Sequence, residues 1–223
     1  MTSYILPKTL AMPTELYVFR HGQPQSFPGR VLPIKSAALS ALGLAQAFAK
    51  GRLMAEQGML PTVILSSPLK RAWQTAQAFN EGFASVSGSL IPLKQLDCLQ
   101  EINIGSNPLV TSAFRVFPVI SKLLQKLGIS ARHETLSEVM QRIKHEFVSE
   151  LLLHTGTVVV IGHQVSNSCL VSVLVEKKWK LTWIFRPHVD GFHVSFNTNN
   201  ASWSLDKKNI KKIFEFNSDI PRK

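Results

Sequence analysis

Two apolar runs along the chain end the same way. Leu16-Tyr17-Val18-Phe19 leads into Arg20-His21-Gly22, and Val158-Val159-Val160-Ile161 leads into Gly162-His163-Gln164. Short continuous apolar runs, unlike alternating ones, read as strands buried on both faces of a mostly parallel sheet. In open α/β sheets ligands bind outside the carboxyl ends of the strands. Each run therefore delivers a histidine to the edge where chemistry is usually found.

The rest of the pattern alternates strands with helices. A strand is predicted over 15–20, then a loop over 23–38 punctuated by Pro24, Pro28, Gly29 and Pro33. A helix over 40–56 carries Leu42, Ala45, Phe48, Ala49 and Leu53 as its apolar positions. A second strand covers 62–65. Ser66-Ser67-Pro68 then opens another helix, with Ser67 suited to the cap and Pro68 to the first helical position. Residues 91–96 read as weakly extended, 103–108 as loop, and 109–127 as a helix ended by Gly128. Thr135-Leu136-Ser137-Glu138 is a capping box, and the helix it opens lines up Leu136, Val139, Met140, Ile143, Phe147 and Leu151 on one face. A strand over 157–161 precedes a helix over 166–175. After Gly191 the residues alternate, as in His193-Val194-Ser195-Phe196 and Ser202-Trp203-Ser204-Leu205, predicting antiparallel strands joined near Asn197 to Asn200. The sum is an α/β fold, a three-layer sandwich with a mostly parallel central sheet flanked by helices and antiparallel strands near the C-terminus. Residues 1–14 read as a flexible N-terminal extension, 15–216 as a single domain and 217–223 as a basic tail.

Composition adds the kind of partner. Of 223 residues, 45% are hydrophobic and 17% charged, which belongs to a globular chain with a sizeable core. Lysine and arginine number 25 against 14 acidic residues, a net +11 that attracts anions. The clustered Lys207, Lys208, Lys211 and Lys212 lack interleaved aromatics, so no nucleic-acid partner is expected. Cys98 and Cys169 make neither a disulfide framework nor a zinc spacing and read as reduced thiols of a cytoplasmic protein. Pro7 and Lys8 interrupt Tyr4-Ile5-Leu6 before a signal sequence forms, and no run approaches the roughly 18 apolar residues of a membrane span. His188 and His193, with Asp190 between them, do not have standard metal-ligand spacing. Neither a dinucleotide-binding glycine motif nor a Walker motif occurs.

The candidate chemistry is that of an anion. A neutral, oriented imidazole such as His21 is able to attack phosphorus. Arg20 beside it matches phosphate geometry bidentately, and Gly22 lets the backbone come close. Arg71 and Lys70 place positive charge in the first turn of a helix, against the macrodipole. Lys70 reads as an ordinary solvated lysine; Arg71, like other residues that break a local rule, is a functional candidate. Glu101 sits in a loop-like run and His163 ends a buried strand.

Taken together these motifs resemble the histidine phosphatase superfamily, the phosphoglycerate-mutase-like enzymes. The matching segments are Arg20-His21-Gly22, Leu39-Ser40-x-x-Gly43-x-x-Gln46-Ala47, Ser66-Ser67-Pro68-Leu69-x-Arg71-Ala72-x-Gln74-Thr75-Ala76, Leu99-x-Glu101-x-x-x-Gly105, Glu134-Thr135 and Gly162-His163-Gln164, in family order. The resemblance implies a metal-independent phosphatase that hydrolyses a phosphomonoester through phosphohistidine, without a cofactor. His21 would be the nucleophile. Arg20, Arg71 and His163 would grip the phosphoryl oxygens, with Gly22, Gln23 and Gln164 also in the phosphate site, and Glu101 would be the acid and then the base. The implied partner is a small anionic phosphorylated substrate. Two alternatives stay open: a cofactor-dependent mutase-type phosphotransferase, and a non-catalytic phosphate-ligand-binding protein on the same fold. Ile102, where such mutases usually carry an arginine, favours the phosphatase. The chain departs from the family at Phe27, where many members have asparagine, in Val31-Leu32-Pro33-Ile34-Lys35, which lacks the usual aspartate, and at Ser106-Asn107-Pro108, which replaces Trp-Glu-Gly. These positions shape the substrate site more than the core machinery. Arg30, with Lys35, Arg115 and Lys122, is a weaker candidate for a second anionic group of the substrate.

Overall fold

Strand β1 (Pro13–Arg20) lies near the middle of a sheet, with β4 (Gly156–Gly162) parallel on one side and β5 (Gly191–Asn197) antiparallel on the other. With β2 (Pro61–Ser66), β3 (Leu93–Gln95) and β6 (Ser202–Leu205), the sheet runs β3-β2-β4-β1-β5-β6. This is the arrangement of a computed structural model that describes residues 13–26, 36–103, 134–177 and 188–205. The predicted helix over 109–127 lies outside the described residues, as do residues 1–12, Phe27, Arg30, Lys35, Arg115, Lys122 and the basic C-terminal cluster.

Alternate residues of the apolar strands feed opposite faces, as the pleat requires. Leu16, Val18, Val63, Leu65, Val158 and Val160 pack in one core cluster. It takes in α3, a helix over 136–151, and α4 (Gln164–Leu174). Tyr17, Phe19, Ile64, Val159 and Ile161 pack in the other, with α1 (Ala41–Glu56) and α2 (Lys70–Ser87). Both faces are covered, which is why these runs contain no polar alternation. The three-layer sandwich and the antiparallel C-terminal strands are as the pattern predicts.

Helices α1 and α2 meet backbone to backbone. A Cβ built on Gly51 would lie 1.8 Å from the Phe79 carbonyl oxygen, and one on Gly82 would lie 1.9 Å from that of Phe48. The close crossing leaves no room for a methyl on either helix.

Helix α3 is capped by the predicted box: Thr135 accepts the Glu138 N–H and Glu138 accepts the Thr135 N–H. It is α-helical over Leu136–Arg142 and Val148–Leu151, with a π-helical turn over Ile143–Phe147 between them. Its buried residues Val139, Ile143, Phe147 and Leu151 recur every fourth position. In a helix of 3.6 residues per turn that stripe would drift by about 120° over three steps, and a wider turn takes up most of the drift.

Three expectations need correction. Strand β1 begins at Pro13, two residues early, because Pro13 still pairs with Gly156 beyond a register shift between Pro13 and Glu15. Helix α4 begins at Gln164 rather than 166. Ser67 does not cap α2, which starts at Lys70 after an extended Leu69 with no side-chain cap; the Ser67 hydroxyl is engaged with His163 instead.

Candidate functional site

The register of two parallel strands builds the site. Arg20 of β1 pairs with Gly162 of β4, so the next residues, His21 and His163, leave the sheet side by side. The His21 N–H donates to the Gly162 carbonyl at 3.0 Å. Their rings meet edge to face with centroids 5.1 Å apart. The neighbouring strand β2 ends beside them, where Ser67 N–H donates to the Ile161 carbonyl at 2.9 Å.

Hydrogen bonding sets the His21 tautomer. Its Nδ1 is 2.7 Å from the Gly22 carbonyl oxygen, which can only accept. The proton is therefore on Nδ1, and Nε2 carries the lone pair. Arg71 donates its Nε–H to that Nε2 at 3.2 Å. The ring is 4% exposed and Arg71 5%. Burial, then the charges of Arg71 and Arg20, hold the His21 pKa well below the usual histidine value. Burial also lowers that of Arg71, while the Glu101 carboxylate opposes the fall.

The turn after His21 is pinned to both helices of its face. The Gly22 N–H donates to Thr75 Oγ1 at 2.9 Å, and that hydroxyl donates to the Arg71 carbonyl at 2.7 Å. Gly22 is required by contact with α1, since a Cβ there would stand 2.5 Å from the Gly43 carbonyl oxygen. Gln23 is tied to α1 as well: its N–H donates to Gln46 Oε1 at 3.1 Å and its carbonyl accepts from Ser40. Pro24 bridges to Leu39, closing the neck of the 23–38 loop.

His163 is fully buried and caps α4, whose first residue is Gln164. Its Nε2 lies 2.9 Å from Ser67 Oγ, and its Nδ1 is buried without a partner among the described residues. Burial, with the charges of His21, Arg71 and Arg20, keeps this histidine well below its ordinary pKa. Glu101 reaches the same helix end. Its carboxylate accepts the N–H groups of Val165 at 3.3 Å, Ser166 at 3.2 Å and its neighbour Ile102 at 3.0 Å. These three N–H groups fix the direction of the Glu101 carboxyl at the start of α4.

Thus Arg20, His21, Gly22, Arg71, Glu101, His163 and Gln164 come together at one sheet edge, while Lys70 is exposed on α2. His188, weighed from the sequence only as a metal ligand and set aside, joins them. It lies just before β5, where the Val189 N–H donates to the Arg20 carbonyl at 3.1 Å, and its ring centroid is 5.7 Å from that of His21. Burial and Arg20 lower its pKa to about 4. No spacing rule finds it, because only the antiparallel return of β5 beside β1 brings it in. His193, by contrast, is a strand histidine: it stacks on Tyr17 at 4.5 Å and pairs with Glu15. Among the described residues, no group of three or more His, Cys, Asp or Glu is placed to hold a metal ion, and no helix is long and apolar enough to cross a membrane.

The chain and its fold have relatives among known proteins. The family model of the histidine phosphatase superfamily (branch 1) matches residues 16–211. The 6-phosphofructo-2-kinase/fructose-2,6-bisphosphatase 1 of Rattus norvegicus is 26% identical over 182 residues, covering 79% of this chain and 36% of that protein. The chain therefore spans little more than a third of that relative's length. The crystal structure of phosphoglycerate mutase from Bacillus anthracis aligns with a TM-score of 0.68 at 19% identity, over 93% of this chain and 98% of its own. A mycobacterial glucosyl-3-phosphoglycerate phosphatase aligns at 0.63 and 21%, over 86% and 97%. These two structures share the fold.

Proposed function

The chain belongs to the histidine phosphatase superfamily, and on that premise we propose that it is a metal-independent phosphoric monoester hydrolase working through phosphohistidine. The observation that carries this reading is the His21 ring, neutral by burial, with its proton committed to the Gly22 carbonyl and its lone pair on Nε2.

In the first step the Nε2 lone pair attacks phosphorus and the bond from phosphorus to the ester oxygen breaks. Glu101, protonated, gives its proton to the departing oxygen. In the second step water attacks the phosphohistidine, Glu101 takes a proton from it, and the P–N electron pair returns to Nε2. Both steps pass through a phosphoryl group with charge on three oxygens, which needs fixed positive partners. Arg20 and Arg71 supply charge. His163, its Nε2 2.9 Å from Ser67 Oγ, sets a polar ring beside His21 in the same site. The N-terminus of α4 at Gln164 adds further positive potential.

Ile102 is buried, 7% exposed, so the residue after the acid offers no cation of the kind the mutase reading needs. Arg30 is retained as a candidate for a second anionic group on the substrate. The test is p-nitrophenyl phosphate hydrolysis in EDTA, beside His21→Ala. Phosphate release that survives EDTA and disappears in the variant is the expected result, together with an acid-labile phosphoenzyme in the parent alone. Release that needs a divalent ion, or that persists in His21→Ala, overturns the assignment.

A further inference from the structure

Glu101 is held from behind as well as from the front. Its segment, the short 3-10 turn Asp97–Leu99 and the residues to Asn103, has no ladder of its own. One side chain of α3 grips it. Arg142 donates from Nη1 to the Cys98 carbonyl and from Nη2 to the Gln100 carbonyl at 2.7 Å. The same guanidinium pairs with Glu134, Nε to Oε1 at 2.6 Å and Nη2 to Oε2 at 3.3 Å. Glu134 holds the far end: its Oε2 accepts the Asn103 N–H at 3.2 Å and its own N–H donates to the Asn103 carbonyl at 2.9 Å. Residues 98, 100 and 103 are thus fixed on both sides of Glu101 by one ion pair. Both partners are mostly covered, with side chains 19% and 20% exposed. Planar, forked guanidinium geometry suits such multiple gripping, and an ammonium group does not reproduce it.

We propose that Arg142, through its pair with Glu134, is a positioning residue that sets where the Glu101 carboxylate meets the leaving oxygen. This rests on the acid role given to Glu101 above. The N–H donors of α4 fix the direction of the carboxylate; the Arg142–Glu134 pair fixes the backbone from which it extends. A displacement of about 1 Å at a reacting group is enough to cost a large factor in rate. The cost falls on the step that Glu101 serves, which is protonation of the leaving group.

The experiment compares p-nitrophenyl phosphate, whose leaving group needs little protonation, with β-glycerophosphate, whose alkoxide needs it. The proteins are the parent, Glu101→Gln, Arg142→Met, Arg142→Lys, Glu134→Gln and the double variant Glu101→Gln/Arg142→Met, each with its melting curve. Arg142→Met is expected to lose about tenfold or more in kcat on β-glycerophosphate and about threefold or less on p-nitrophenyl phosphate. Arg142→Lys recovers part of the loss. In the Glu101→Gln background Arg142→Met costs nothing further on β-glycerophosphate, since its effect passes through Glu101. Should Arg142→Met fail to fold, Glu134→Gln and Arg142→Lys carry the same substrate comparison. Equal losses on the two substrates, or losses that multiply with Glu101→Gln, overturn the proposal. If the parent hydrolyses neither ester, or Glu101→Gln shows no dependence on the leaving group, the functional reading falls first and the positioning role with it.

Discussion

Arg71 Nε–H points at the nucleophilic nitrogen of His21, 3.2 Å from Nε2. That hydrogen bond uses the lone pair that must reach phosphorus. In the proposed cycle the guanidinium has to leave Nε2 for the phosphoryl oxygens, and it does so as the ring begins its attack. One cation thus holds the resting imidazole and then the transferred group.

Arg71→Lys tests whether the planar fork matters in addition to charge. A lysine keeps the charge but loses the Nε–H aimed along the ring and the bidentate geometry. A loss of about 10²-fold in kcat/KM is expected, with Arg71→Ala lower still. A lysine variant near parental rates would mean that Arg71 serves only as a diffuse charge.

Ser67→Ala removes the hydroxyl that faces His163 Nε2 at 2.9 Å. The buried ring then loses the partner that holds its orientation. A fall of about tenfold or more in kcat is expected, with weaker inhibition by inorganic phosphate. Ser67→Thr, which keeps the hydroxyl, recovers activity. If Ser67→Ala retains parental activity and phosphate inhibition, Ser67 does not position the ring.

Stability should fall on mild acidification. Burial and nearby arginines hold His21 and His163 well below the ordinary histidine pKa, and His188 is down to about 4. The unfolded chain takes up these protons near about pH 6.5. Native pKa values are the lower ones, so their neutral forms cost nothing above that pH, and stability is lost as pH falls through it. Urea midpoints between pH 7 and 5 are expected to drop with a slope approaching three protons, each about 1.4 kcal/mol per pH unit. His188→Asn removes one proton from that slope. A midpoint that does not change over the range refutes the buried neutral histidines.

The helix crossing away from the chemistry makes a separate prediction. Gly51→Ala forces a methyl to within 1.8 Å of the Phe79 carbonyl oxygen, so α1 and α2 must move apart. A loss of about 1–3 kcal/mol in unfolding free energy is expected despite the better helix propensity of alanine. Since α1 also packs on Gly22, kcat should fall with stability. A neutral or stabilising Gly51→Ala would show that the two helices are not in backbone contact.

Periodicity and local chemistry determined much of this protein in the one-dimensional sequence. The buried strands before His21 and His163, the Thr135 capping box and the two-faced sheet all follow from patterns a few residues long, because burial and capping act over that range. What those patterns left undecided was set by strand order and register. Ser67 looked like a cap because capping is a local competition, and it lost to a histidine 96 positions away that only the β2–β4 pairing brings within 2.9 Å. His188 had no motif to mark it, since the antiparallel return of β5 places it against His21. No local pattern singles out Arg142, yet it grips the Glu101 segment 40 or so residues upstream. Sequence alone could name the groups that carry charge and lone pairs. Their tautomers, their neutral states and the residues that hold them in place depend on burial and on contacts between distant segments, which exist only once the chain has folded.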